Sequence, residues 1–251
     1  MRRMKMWLFG GLAAAALVGC AYNEELGRSQ LSFVPGEQMA SLGSTAWQDV
    51  KSKQKVSTDP RYTGRLNRVA PRILQAAGED PSQWDWAVFD TKELNAFALP
   101  GRHFGINTGI MDIMDNDAQL ATVVGHEVAH VRANHSGERY SQSVGSSLAL
   151  SAAQAAIGSG SQSGQLALAA LGVGAQYGVL LPFSRKHELE ADRLGVQYMY
   201  RAGYDPNEAL RFWTKMADKG GAKPPAWMST HPTDAQRIQQ IRDIIATLPP
   251  R

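Results

Sequence analysis

The sequence predicts an α+β protein, mainly helical, with a small β-sheet set beside one buried helix. Three observations carry this. Helix start and stop signals recur along the chain, as in Asp59-Pro60 with Gly78, Asp205-Pro206 and His231-Pro232. Short runs bounded by turn residues read as strands at Trp86 to Phe89, Asn95 to Leu99 and Phe104 to Ile110. Between them and the later helices, His126-Glu127-Val128-Ala129-His130 sits among Val123, Val124 and Val131, which marks a helix buried in the core.

The first helix is expected from about Asp59-Pro60 to Ala77, where Gly78 stops it. Asp90 to Glu93 reads as a turn between the first two strands, and Pro100-Gly101 as a bend before the third. Asp115 or Asp117 can cap the buried helix, which runs through Gln119 to about Asn134. A charged helix follows from Arg185 to about Arg201. In the next, Asp205 is the expected N-cap, with Pro206 at the first position and Glu208 reaching back. The last helix opens at His231-Pro232 and runs to about Leu248. From Ser141 to Ser184 there is no charged residue. Leu166 to Phe183 is nearly apolar, but Gln176 and several glycines interrupt it, so a helical hairpin near the site is expected rather than a membrane span.

The formal charge of the 251 residues is +3, and Arg2, Arg3 and Lys5 account for it. Setting these aside leaves 23 basic against 23 acidic residues, so the body of the chain gives no support to nucleic-acid binding. The three charges precede an apolar stretch from Trp7 to Val18, too short to span a bilayer and read as a secretion signal. It closes on Leu17-Val18-Gly19-Cys20, which resembles a bacterial lipobox, with Cys20 acylated as the first mature residue. Cys20 is the only cysteine, so it has no internal disulfide partner. Several acyl chains on one residue anchor stably where one would be marginal. Ala21 at the next position resembles lipoproteins sorted to the outer membrane, facing the periplasm. The expected organisation is a lipoprotein signal peptide at residues 1–19, a lipidated polar tether at 20–45 and one folded domain at 46–251.

The chemistry centres on two histidines. Four residues apart on a helix, His126 and His130 project from one face and can bind one metal ion. Glu127 lies beside them, placed to reach a metal-bound water without ligating the metal. A catalytic zinc takes three protein ligands and leaves one position open. In His187-Glu188-Leu189-Glu190-Ala191-Asp192, Glu188 and Asp192 share a helical face. Glu188 is assigned to the metal and Asp192 to orienting a ligating histidine, His126. Glu190 points the other way, toward Arg193, and reads as a solvated charge.

With these residues in place, the chain resembles the M48 family of zinc metallopeptidases, in its periplasmic lipoprotein branch. The strand Asn95-Ala96-Phe97-Ala98-Leu99-Pro100-Gly101 resembles the one that precedes the metal helix in that family. Phe183-Ser184-Arg185 leading into Glu188 to Asp192 resembles its third-ligand helix, and Ser229-Thr230-His231-Pro232 with Arg237 its C-terminal motif. The resemblance covers roughly residues 60 to 245. It implies a zincin-like (gluzincin) fold, one Zn2+ per chain and peptide-bond hydrolysis. It implies that His231 faces the zinc, either steadying the tetrahedral intermediate or closing the site as a fourth ligand. It implies that Arg237 contacts the substrate carbonyl or the carboxylates of the site. Asn95, Ala96, Phe97 and Ala98 would pair with an extended substrate, a mode that reads backbone and suits unfolded or misassembled envelope proteins. Envelope assembly machinery is a further partner on the same grounds. Where relatives often carry a second glycine after Pro100-Gly101, this chain has Arg102-His103.

The other histidines carry less. His135 falls five residues after His130, off the metal face, and reads as structural or exposed; His187 reads as a flanking surface group; His103 sits near the cleft rim with no role. A second functional reading is a lipoprotein chaperone or assembly factor, with the charge-free segment binding nonpolar clients and His231 keeping the zinc site latent.

Overall fold

The computed structural model describes residues 19–145, 184–219, 227–228, 231 and 235–250. Residues 1–18 of the expected leader, 146–183 of the charge-free stretch, and Ser229, Thr230 and Pro232 lie outside the described residues. The chain divides into two compact units, one of Met1–Gln38 with Gly137–Leu181 and one of Met39–Ser136 with Pro182–Arg251. Among the described residues no helix is long and apolar enough to cross a membrane.

The first unit corrects the expected tether. Strands β1 (Cys20–Asn23) and β2 (Arg28–Leu31) form an antiparallel hairpin, with Cys20 opposite Leu31. Its turn needs a left-handed residue, supplied by Gly27 at φ 66°. Arg28 grips the Glu138 carboxylate with two bonds of 3.0 and 2.8 Å, and Gln30 Nε2 donates to it at 2.9 Å. These partners lie more than a hundred residues downstream, where no local pattern could announce them. Helix α1 (Gly36–Lys53) starts within the same expected tether and buries Trp47 against Phe89, Ala87 and Phe97.

In the second unit, helix α2 (Pro60–Ala76) is as expected. Asp59 Oδ1 accepts from the Arg61 N–H at 2.9 Å, Pro60 opens the first turn, and Gly78 at φ 76° ends it. Strands β3 (Asp85–Phe89), β4 (Ala96–Leu99) and β5 (His103–Asn107) form one sheet in the order β3-β5-β4. β5 runs parallel to β3 and antiparallel to β4, so among the described residues β4 pairs on one side only. The third strand ends at Asn107 rather than Ile110. Thr108 Oγ1 and the Gly109 N–H both donate to the Thr91 carbonyl, at 3.0 and 2.9 Å, and turn the chain into the short helix α3 (Thr108–Asp112).

Helix α4 (Asp117–Arg132) is buried from Gln119 to His130. Its cap is Asn116, whose Oδ1 accepts from the Gln119 N–H at 3.0 Å, not either neighbouring aspartate. Asp117 instead pairs with Arg65 and Arg68, and Asp115 with Lys215. α4 packs against α2, β4, α5 (Arg185–Arg201) and α6 (Asn207–Asp218). Asp205 Oδ1 accepts from the Asn207 N–H at 2.9 Å, but α6 begins at Asn207, so Pro206 rather than Asp205 stands at its cap position. Glu208, however, does not reach back; it accepts from Gln119 Nε2 at 2.8 Å and pairs with Arg211. The last helix, α7 (Ala235–Thr247), packs on α5 and α6.

The separation of α4 and α5 is set by two glycines. A Cβ on Gly195 would lie 3.0 Å from the His126 backbone nitrogen, and one on Gly125 would lie 3.0 Å from the Gly195 carbonyl oxygen. With no side chain at either position, backbone meets backbone and the two helices approach closely. Gly195→Val removes this option. It is expected to lower the unfolding free energy by about 2 kcal/mol, the cost of overpacking exceeding the gain in helix propensity, as measured by urea denaturation.

Candidate active site

Three pieces of chain converge on one buried cluster: α4 with His126, Glu127 and His130; α5 with Glu188 and Asp192; and the C-terminal part with Trp227, His231 and Arg237. The α4 ring nitrogens His126 Nε2 and His130 Nε2 lie 3.1 Å apart. Glu188 Oε2 is 3.3 Å from the first and Oε1 3.4 Å from the second. His231 Nδ1 lies 3.0 Å from Glu188 Oε1 and 3.3 Å from His126 Nε2. The four ligand atoms of His126, His130, Glu188 and His231 fall within 4.8 Å of one another, and all four residues are buried. This arrangement fits a zinc ion. Two imidazole nitrogens turned toward each other at 3.1 Å need a shared cation or proton, and a nitrogen-rich set with one carboxylate is zinc chemistry.

The surroundings hold these ligands in place. His126 Nδ1 sits 3.0 Å from Asp192 Oδ1, as the spacing of Glu188 and Asp192 predicted. Arg237 is 1% exposed and spans both carboxylates. Its Nε and Nη2 donate to Asp192 at 2.7 and 2.8 Å, and its Nη1 lies 2.7 Å from Glu188 Oε2. Of the two expected contacts for Arg237, the structure shows the one to the carboxylates. Burial by itself would raise both carboxyls; the charges of His231 and Arg237 hold Glu188 well below the usual carboxylate range, and Arg237 holds Asp192 below it. Burial also opposes protonation of His126, but Asp192 and Glu188 outweigh it and raise that imidazole to about 9. His130 goes the other way, lowered by burial and by the charge on His126.

Glu127 is turned to the same centre. Its Oε1 accepts from the Trp227 indole N–H at 3.3 Å and lies 3.5 Å from His231 Nε2. Trp227 is stacked on His231 and on Trp213, with centroids 4.6 Å apart in each case, and the Arg237 guanidinium lies 5.2 Å over Trp213. Neither tryptophan was singled out in the sequence. One signal was available: Trp227 stands four residues before His231, one helical turn, and the His231 N–H donates to the Trp227 carbonyl at 2.8 Å.

Near the site, two expectations are corrected, for His187 and Glu190, and His135 takes the structural one of its two readings. His187 is not a surface group; it is buried and its ring stacks on His135, centroids 4.4 Å apart. His135 is fully buried, with Nδ1 2.9 Å from His130 Nδ1. Glu190 is not solvated, because its carboxylate lies 3.1 Å from His135 Nε2 with its side chain 15% exposed. The helical wheel of α5 placed Glu190 away from Glu188 correctly, but an imidazole from beyond α4 meets it there. At the rim, Arg102 takes the left-handed conformation at φ 68° and bonds to Glu79 at 3.1 Å. His103 stacks on Trp47 and its Nε2 lies 3.0 Å from Ser44 Oγ.

Because His126 holds a proton up to about pH 9 in the metal-free site, zinc must displace it. Zinc binding is expected to release a proton at neutral pH. Its apparent affinity should rise about tenfold per pH unit up to about pH 9 and level off above. Calorimetric titration in buffers of different ionisation enthalpy measures both.

Residues 60–245 match the profile of peptidase family M48. The mitochondrial metalloendopeptidase OMA1 of Schizosaccharomyces pombe is 33% identical over 250 residues, covering 94% of this chain and 71% of the relative. That of Saccharomyces cerevisiae is 27% identical, over 96% of this chain and 73% of the relative. The β-barrel assembly-enhancing protease of Escherichia coli is 27% identical over 87% of this chain, which spans 46% of that protein's length. A nitrogen-rich metal cluster on a His-Glu-x-x-His helix, a carboxylate as third ligand on a later helix and a family match across both place the chain in peptidase family M48, as a zinc metalloendopeptidase.

Proposed function

We propose that the chain is a lipid-anchored endopeptidase of the bacterial cell envelope, held in the outer membrane through Cys20 and facing the periplasm. Its substrates in this reading are unfolded or misassembled envelope proteins. The observation that carries the proposal is the pairing of the buried His126–His130–Glu188 cluster with strand β4, whose outer edge has no ladder partner among the described residues and which packs on the metal helix. An extended segment of any sequence can add to such an edge, so recognition depends on exposed backbone rather than on a motif. Relatives named for β-barrel assembly point to the envelope assembly machinery as a partner.

His126, His130 and Glu188 would hold the zinc ion. When bound, it lowers the pKa of a water and polarises the scissile carbonyl. Glu127 takes the proton from the attacking water and delivers it to the leaving amine nitrogen. Asp192 holds His126 through Nδ1, so that Nε2 faces the centre, and Arg237 keeps both carboxylates charged and fixed. His231 is close enough to Glu127 and Glu188 to serve a charged intermediate, and close enough to the other ligand atoms to occupy the fourth position.

A second reading rests on that last distance. With His126, Glu127, His130 and Glu188 all at 2% exposure or less, and His231 within the ligand set, the structure also suits a latent zinc site in a chaperone or assembly factor. Glu127→Gln is expected to lower casein cleavage by about 100- to 10,000-fold while one zinc per chain remains bound. A wild type that cuts neither casein nor an unfolded envelope protein, with no activity released by His231→Ala, would leave the chaperone reading in place. For the anchor, Cys20→Ser should move the protein from the membrane pellet to the soluble periplasmic fraction; unchanged fractionation would remove the lipoprotein assignment.

A further inference from the structure

The two histidines of the metal helix are held differently. His126 Nδ1 meets the Asp192 carboxylate directly. His130 Nδ1 meets another imidazole, His135 Nδ1, at 2.9 Å, and His135 Nε2 meets the Glu190 carboxylate at 3.1 Å. His135 is 0% exposed, and the His187 ring lies nearly parallel over it at 19°, sealing its face. One turn of α5 therefore serves both histidines, with Asp192 behind His126 and Glu190 behind His130.

The bond order in this second chain has one solution once a metal is present. A metal takes the Nε2 lone pair of His130, so the single proton of that neutral ring is on Nδ1 and must be donated. His135 Nδ1 is then an acceptor. The proton of the neutral His135 ring is therefore on Nε2, and it is donated to the Glu190 oxygen. We infer that His135 and Glu190 form a hydrogen-bond relay that fixes the tautomer and orientation of His130, positioning its Nε2 for the metal. The relay does for the second histidine what Asp192 does for the first. Carboxylate partners behind ligating histidines raise ligand basicity and fix ring orientation, and here the carboxylate acts through an intervening ring. Neither residue touches substrate; both are positioning residues. The inference rests on the reading that His126, His130 and Glu188 hold zinc.

The test uses the full-length protein and zinc itself. In long-range proton–nitrogen spectra of the zinc-loaded wild type, His130 should carry its proton on Nδ1 and His135 on Nε2. Zinc affinity, read by competition with a chromogenic chelator, should fall about 10- to 100-fold in His135→Phe and in Glu190→Ala. Glu190→Gln, which keeps an acceptor oxygen, should recover most of that loss. Glu190 lies at the edge of the buried cluster, so its variants report even where His135→Phe does not fold. A proton on His135 Nδ1, or unchanged zinc affinity in folded Glu190→Ala, would overturn the relay. So would a fall in melting temperature of the metal-free variants with no change in zinc affinity. A wild type that takes up no zinc would overturn the metal assignment itself, whereas normal uptake with unaffected variants removes only the relay.

Discussion

Two carboxylates, Glu188 and Asp192, lie within one turn of α5 with essentially no exposure to water, and the site depends on how that charge is held. Taking a carboxylate out of water is costly unless charge and hydrogen bonds compensate. Arg237 supplies both, with a planar fork that reaches Asp192 through two nitrogens and Glu188 through the third. Removing one partner of such a buried pair typically costs about 3–5 kcal/mol, because the remaining charge is stranded. The ligand geometry therefore rests on a contact between α5 and α7 as much as on the metal helix.

The α5 carboxylates reach the α4 imidazoles only if α4 and α5 approach closely, which the glycine pair permits. Gly125 and Gly195 leave backbone against backbone directly beside His126, bringing the α5 carboxylates within 3.0 to 3.4 Å of the α4 imidazoles. The aromatic wall then closes the third side. Trp213 and Trp227 present ring faces to Arg237, and the indole N–H of Trp227 satisfies Glu127 in a place where water is excluded. Glu127 is thereby buried, hydrogen-bonded and adjacent to His231.

The first unit presents a different problem. Its hairpin is only four residues per strand, too short to be stable alone in water. Glu138 braces it through Arg28 and Gln30, so the hairpin that starts at Cys20 depends on a distant part of the chain.

The sequence by itself determined the features that arise from short-range periodicity. The His126–His130 and Glu188–Asp192 spacings each put two side chains on one helical face, and the cap at Asp59 comes from local hydrogen bonding; the structure reproduces all three. The helix of α5 was legible to the residue, from Arg185 to Arg201. Only the tertiary structure decided which of several chemically suitable groups meet across elements. Asn116 rather than an aspartate caps α4 because Arg65, Arg68 and Lys215 claim the aspartates from other helices. Residues 20–31 acquire a hairpin braced by Glu138, a partner that no local pattern announces. His187 and Glu190 lie off the metal-facing stripe of α5 and His135 lies beyond the end of α4, so all three read as peripheral, and they become one buried group where the chain after α4 meets α5. The reach of Arg237 to both carboxylates belongs to the same class, since pairing across long separations leaves no periodic trace in the chain.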